Sequence, residues 1–266
     1  MPTIETPHAT IDYDERGDGL PLVLLASGAH DRHDYDELRD LLPPNIRSIA
    51  IDWPGHGESS PPRTPASVIQ FAEVAESAVA QLCPEGAVVM GNSVGGFSAA
   101  RLAITHPDLV KGLVIVDGGG FLPRSLLVRG FCAAMGRPGF LRRVYPSFSR
   151  RYMRAQTPAD ARALATGVAT TRADPGLRTV ADLWRSFSSR DHDLRANAAK
   201  ITAPTLIVWG ERDPVIPVKI GRRINAAIPG STLHVFDTGH VPQTSNPAGV
   251  AEVLIPFLHA CVTARQ

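Results

Sequence analysis

Ser93 stands in Gly91-Asn92-Ser93-Val94-Gly95. It lies between the apolar run Ala87-Val88-Val89-Met90 and a segment where Phe97, Ala100 and Ile104 recur at helical spacing. A serine between glycines at a strand-to-helix turn presents its hydroxyl outward, as a nucleophile elbow does. The glycines are needed because side chains there would collide with the neighbouring backbone. Near neutral pH a hydroxyl is a poor nucleophile; it needs a base, and the base needs an orienting anion. Two later segments supply both. Asp213 lies in Trp209-Gly210-Glu211-Arg212-Asp213-Pro214, after an apolar run at 205–209. His240 lies in Asp237-Thr238-Gly239-His240-Val241-Pro242, after the run at 232–236. In this order His240 takes the proton of Ser93 and returns it to a leaving group, while Asp213 fixes the imidazole tautomer. The oxyanion that forms needs main-chain donors. The amide of Val94 is one, and Ser27-Gly28-Ala29-His30 supplies the other, expected at Ala29 with Gly28 second.

These groups meet only if the elements that carry them share an edge. Continuous apolar runs at 22–26, 48–51, 87–90, 113–116 and 205–209 read as buried strands of a parallel sheet covered on both faces. The run at 232–236 is less apolar and reads as an edge. Segments such as 67–82 and 217–228 are long enough for crossover helices, so the fold class is α/β with a mostly parallel central sheet. Loops after parallel strands gather at one edge of such a sheet, and Ser93, Asp213 and His240 each occupy one. Residues 9–13 with the turn Gly17-Asp18-Gly19 predict an antiparallel hairpin at one edge.

The segment 121–200 breaks the alternation, with helical stretches at 160–169 and 179–187 and no apolar strand. It holds 15 Arg and Lys against 5 Asp and Glu, leaving 12 against 21 for the rest of the chain. A near-neutral protein of net charge +1 is therefore two oppositely charged parts. The reading is a core of 1–120 and 201–266 with a basic helical insertion at 121–200. Its arginines either face the carboxylates of the core and water or line a cleft that favours an anionic substrate. Nucleic acid is not an expected partner, because no recognition fold is present and the acidic core repels phosphate. No apolar stretch nears the ~18 residues of a membrane helix, so no membrane partner is expected. Met1-Pro2-Thr3-Ile4-Glu5 begins no signal peptide, and three scattered cysteines, Cys83, Cys132 and Cys261, fit a reducing cytoplasm. No spacing suits a metal or a dinucleotide, so no cofactor is expected. Oligomeric state is not legible.

The ordered motifs resemble the α/β-hydrolase family of the capped kind over nearly the whole chain. They are Ser27-Gly28, Asp52-Trp53-Pro54-Gly55-His56-Gly57-Glu58-Ser59, the turn around Ser93, Gly210-Glu211-Arg212-Asp213-Pro214-Val215-Ile216-Pro217 and Gly239-His240. Many relatives carry His-Gly where this chain has Ser27-Gly28, a change expected to alter loop packing more than the donor. The resemblance implies a serine hydrolase with 121–200 as a cap, acting on a small to medium carboxylester or lactone. Serine at 93 argues against epoxide opening and dehalogenation, which use a carboxylate there. Carbon–carbon cleavage of vinylogous diketones is the alternative enzyme reading. The elbow resembles that of ring-cleavage-product hydrolases, which tend to carry tryptophan after the catalytic histidine where this chain has Val241-Pro242-Gln243. A small-molecule receptor that keeps the triad is the alternative of another class. Asp117 is the alternative triad acid, and His56 reads as structural. Asn92, His30, Phe121, Trp184 and Val241 are the expected substrate contacts, with His33 and Phe131 nearby.

Overall fold

The computed structural model of the chain describes residues 2–263. Eight strands form one sheet in the order β1-β2-β4-β3-β5-β6-β7-β8. They are β1 (Thr3–Glu5), β2 (Thr10–Arg16), β3 (Leu20–Leu25), β4 (Ile46–Ile51), β5 (Ala87–Asn92), β6 (Val110–Val116), β7 (Thr205–Gly210) and β8 (Thr232–Phe236). β3 to β8 pair in parallel, and β2 runs antiparallel to both β1 and β4. Every residue of β5 and β7 is buried, as an apolar run covered on both faces requires. β8 has only exposed and half-buried residues and closes the far edge, consistent with its weaker apolar pattern.

The expected edge hairpin is corrected in its pairing. β2 does lie antiparallel near the edge, but the Gly17–Gly19 turn leads into β3, which sits beyond β4. The physical reason is burial. Leu22 to Leu25 are fully buried between β4 and β5, whereas β2 carries Asp14, Glu15 and Arg16 and suits a half-solvated position.

The helices of the core are α1 (Asp36–Arg39), α2 (Val68–Leu82) and α3 (Val94–Thr105). Ser67 caps α2 by accepting from the Gln70 amide at 3.3 Å. The buried face of α2, Phe71, Ala72, Val74, Ala75, Ala78 and Val79, has helical periodicity and joins the main core. Between β6 and β7 come α4 (Leu126–Met135), α5 (Pro138–Met153), α6 (Pro158–Thr170) and α7 (Gly176–Ser186), with no strand among them. Ser125 caps α4, and Thr157 with Asp160 forms a reciprocal capping box on α6. These four helices build a second apolar cluster from Leu141, Tyr145, Tyr152, Leu177 and Val180, which also takes in Ala29 and Val241 from the loops of the core. The insertion therefore sits on the edge where those loops gather. α8 (Lys219–Ala227), α9 (Pro242–Ser245) and α10 (Pro247–Thr263) complete the chain. Cys83, Cys132 and Cys261 are all buried and unbridged. Among the described residues no helix is long and apolar enough to cross a membrane.

Candidate active site

Ser93 follows the last residue of β5 and precedes the first of α3, with φ 57° and ψ −112°. That left-handed backbone costs a non-glycine residue about 1–3 kcal/mol and persists only where neighbours hold it. The neighbours are visible. The Ser93 amide donates to Val116 O at 3.0 Å, and the Ser93 carbonyl accepts from Gly119 N at 2.8 Å and Phe97 N at 3.0 Å. A Cβ at Gly91 would lie 2.1 Å from Gly95 O, and one at Gly95 would lie 2.2 Å from Leu25 O. The turn can therefore be this tight only with glycine at both places. A helix-capping serine normally bends back to accept from the first-turn amides. Ser93 makes no such bond, and it lines a cavity of about 490 Å³.

His240 lines the same cavity, and its Nδ1 is 2.6 Å from Asp213 Oδ2, with both side chains almost wholly buried. Asp213 Oδ1 accepts from the amides of Val215 at 2.7 Å and Ile216 at 3.1 Å, which fixes the carboxylate. With Nδ1–H given to Asp213, Nε2 is the nitrogen left to accept a proton. The histidine loop is itself held from two sides. The His240 amide donates to Tyr152 O at 2.9 Å, and its carbonyl accepts from Asn92 Nδ2 at 2.9 Å.

Asp117 lies directly behind this pair. Both its oxygens accept from the Gly210 amide, at 3.1 and 3.2 Å. Burial, then the charge of Asp213, hold its proton well above the usual carboxylate range. A protonated Asp117 that donates to Asp213 is the consistent arrangement. His240 Nδ1 meets Asp213, not Asp117. Asp117, Asp213 and His240 offer ligand atoms within 4.8 Å of one another. Those atoms are engaged in the bonds just described, so the trio suits holding an imidazole more than holding a metal ion.

The insertion roofs the cavity with Phe131, Tyr145, Phe148, Tyr152 and Trp184, while Ser27, Gly28 and Val94 lie on the core side. Phe131 and Phe148 both pack on Trp184, with centroids 5.5 and 5.8 Å away. Arg124, Arg129 and Arg151 also line it. A mostly apolar chamber with an aromatic face and charged groups at Arg124, Arg129, Arg151 and Asp193 suits an acyl moiety that also carries a polar group.

Several sequence-based expectations are corrected here. Ala29 does not line the cavity, and its amide donates to His56 Nε2 at 3.1 Å, so Gly28 replaces it as the donor candidate of that loop. His56 Nδ1 faces Pro54 O at 2.9 Å, and burial pushes the ring down to about 4. His56 is thus a neutral strut for the loop. His30 is fully buried outside the cavity, with Nδ1 2.8 Å from Asp34 and Nε2 2.6 Å from the Tyr152 hydroxyl. Burial pulls its pKa down, but the nearby charge of Asp34 outweighs that and raises it. Asn92 does not reach the cavity because its side chain bridges Val116 O and His240 O. Phe121 belongs to the main core, and Val241 is fully buried in the second cluster. Trp184 lines the cavity. The exposed His33 instead meets Asp36 at 2.7 Å.

His192 is a cavity residue that no sequence motif marks. Its Nδ1 donates to Phe187 O at 3.0 Å, the ring stacks on Phe187, and burial pushes it down to about 4. Tyr145, Phe148 and Tyr152 were legible in principle, since positions i, i+3 and i+7 share one face of α5.

The sequence model of the alpha/beta hydrolase family matches residues 22–253. The chain belongs to that family. A 2-hydroxy-6-oxononadienedioate/2-hydroxy-6-oxononatrienedioate hydrolase of Cupriavidus pinatubonensis is 28% identical over 231 residues, covering 82% of this chain and 78% of that protein. A pimeloyl-(acyl-carrier protein) methyl ester esterase of Yersinia enterocolitica is 27% identical, covering 89% of this chain and 92% of that protein. Among solved structures, an enol-lactonase from Burkholderia xenovorans superposes with TM-score 0.85 at 20% identity, over 97% of this chain and all of that one. That likeness shows the shared fold. This alpha/beta hydrolase is a hydrolytic enzyme, as the family and its named relatives are.

Proposed function

We propose that this alpha/beta hydrolase is a serine hydrolase that cleaves a carboxylester or lactone through Ser93, His240 and Asp213. One observation carries the reading. A buried His240–Asp213 pair at 2.6 Å and an uncapped serine in a strained turn open on the same cavity. His240 Nε2 takes the Ser93 proton as Oγ attacks the substrate carbonyl. Asp213 stabilises the imidazolium through Nδ1–H. The oxyanion is held by the amide of Val94 and by that of Gly28. Val94 opens α3, so its amide has no partner within the helix and lies at the positive end of the dipole. Collapse of the intermediate expels the alcohol with the proton from His240. Water, activated by His240, then cleaves the acyl-serine.

In this reading the insertion is a cap whose aromatic face receives the apolar part of the substrate. Its arginines at the cavity favour a substrate that also bears negative charge. Carbon–carbon hydrolysis of a dienedioate-like diketone is a second reading, favoured by the 28% identical relative of that activity. The same triad would serve it.

The test is intact mass after treatment with a small fluorophosphonate. One adduct on the wild type and none on Ser93→Ala is the expected result. Adduct formation that survives in Ser93→Ala overturns the assignment. A panel of esters, lactones and vinylogous diketones then separates the two substrate readings.

A further inference from the structure

Residues 121–159 hold eight arginines and no lysine, aspartate or glutamate. All eight are exposed. The ion pairs made by the insertion belong to other arginines. Arg162 meets Glu37, Arg178 meets Asp174, Arg185 meets Asp182 and Arg195 meets Asp193. Arg124 hydrogen-bonds the carbonyl of Ser188 at 3.3 Å and lies near enough to Asp193 to feel its charge. Among the described residues none of the eight makes an ion pair, so the first half of the insertion presents guanidinium groups largely without carboxylate partners.

Exposed apolar side chains accompany this charge. Leu126 and Leu127, at the start of α4, are 82% and 83% exposed, and Phe131 one turn later is 42% exposed. Leucines this exposed lose water-ordering surface only when something covers them. Leu127, Phe131, Arg124, Arg129 and Arg151 all line the cavity that holds Ser93, so the basic and apolar patch surrounds its entrance.

We propose that this face docks on an anionic phospholipid bilayer, with Leu126 and Leu127 entering the acyl layer and the arginines meeting the phosphate headgroups. Charge complementarity argues for the lipid, since guanidinium groups bind phosphate in a bidentate fork and a basic apolar surface is what an interfacial element presents. Two adjacent protruding leucines suit a fluid layer, which needs no preformed groove to accept them. A docked molecule would receive an acyl chain from the bilayer into the aromatic cavity without passing it through water. The expectation of no membrane partner rested on the length of a spanning helix, a criterion that says nothing about a peripheral surface. Delivery of substrate rests on the hydrolase reading, whereas docking does not.

The experiment is flotation of the full chain with vesicles of phosphatidylcholine alone and of phosphatidylcholine with one third phosphatidylglycerol. Binding to the anionic vesicles only, weakened by salt, is expected. Leu126→Ser with Leu127→Ser should lower the partition at least about tenfold, and each of Arg124→Gln and Arg129→Gln about fivefold. Thermal melting of each variant shows whether it is folded, and fluorophosphonate labelling of the wild type shows whether its serine is armed. They also separate failure of docking from failure of the hydrolase reading. No binding to anionic vesicles overturns the proposal. So does binding that the arginine changes weaken but the leucine changes leave intact, which is electrostatic adsorption without entry of the leucines into the acyl layer. A dimer abolished by the leucine changes, with no vesicle binding, assigns the face to a second copy and equally overturns it.

Discussion

Two histidine–aspartate pairs are buried against Tyr152, and only one has the geometry of a base. His240 and Asp213 are 2.6 Å apart, and His30 and Asp34 are 2.8 Å apart. Both histidines bring Nδ1 close to the carboxylate, but only His240 is aligned to hydrogen-bond with it, whereas His30 Nδ1 and Asp34 Oδ2 approach without that alignment. The pairs differ again at the second nitrogen. The Nε2 of His30 is stoppered by the Tyr152 hydroxyl at 2.6 Å, and that hydroxyl in turn meets Tyr145 OH at 2.8 Å. His240 instead lines the cavity beside Ser93. On the proposed reading, a histidine–aspartate pair serves as the base where its ring is aligned and opens on the cavity, and as an internal strut where a hydroxyl closes the far side of the ring.

The comparison breaks or holds on the acids first. Asp213→Asn should lower kcat for p-nitrophenyl butyrate about 10³- to 10⁴-fold by favouring the wrong tautomer, while Asp34→Asn should cost under about tenfold. Equal losses would erase the distinction, and a larger loss in Asp34→Asn would reverse it.

The non-catalytic histidines give the next largest effect, and they differ in sign. His56, held down to about 4, binds its proton more weakly folded than unfolded. Its contribution is present above about pH 6.5 and falls as pH drops toward 4, by up to a few kcal/mol. His30, held up by Asp34, contributes fully below about pH 6.5 and loses that contribution as pH rises through its folded value. Urea midpoints between pH 4 and 8 should therefore show a shallower acid limb in His56→Gln, and in His30→Gln a smaller loss of stability as pH rises above about 6.5.

Tyr152→Phe should cost about 1–3 kcal/mol in urea unfolding, because His30 Nε2 and Tyr145 OH both lose a buried partner. Asp117→Asn has the smallest expected effect, under about tenfold in kcat. Asparagine can still accept from Gly210 and donate to Asp213, doing the work of a protonated acid. A loss as large as that of Asp213→Asn would make Asp117 part of the triad.

The core and the insertion were legible to different degrees. The apolar runs that became β3 to β7 could be read because burial on both faces leaves a continuous signal in the chain. Ser93, Asp213 and His240 could be read because each sits in a loop whose glycines and prolines are themselves a pattern. The pairing of β2 with β4 was not, since a turn signal says that the chain bends and not which strand it leaves beside it. In the insertion only helices and net charge were visible. Phe121 and Trp184 look alike as apolar residues, and packing alone sends one to the core and the other to the cavity.

By itself, then, the sequence determined the α/β class, the order of the candidate nucleophile, acid and base, and the division into an acidic core and a basic insertion. These follow from local periodicity, from turn chemistry and from counting charges. Only the tertiary structure decided that Asp213 rather than Asp117 meets His240, that the Ala29 amide turns to His56, and that His192 and Tyr152 reach the cavity. Each of those outcomes depends on which groups lie within about 3 Å across elements far apart in the chain. Hydrogen bonds are that short-ranged, and spacing along a sequence carries no record of them.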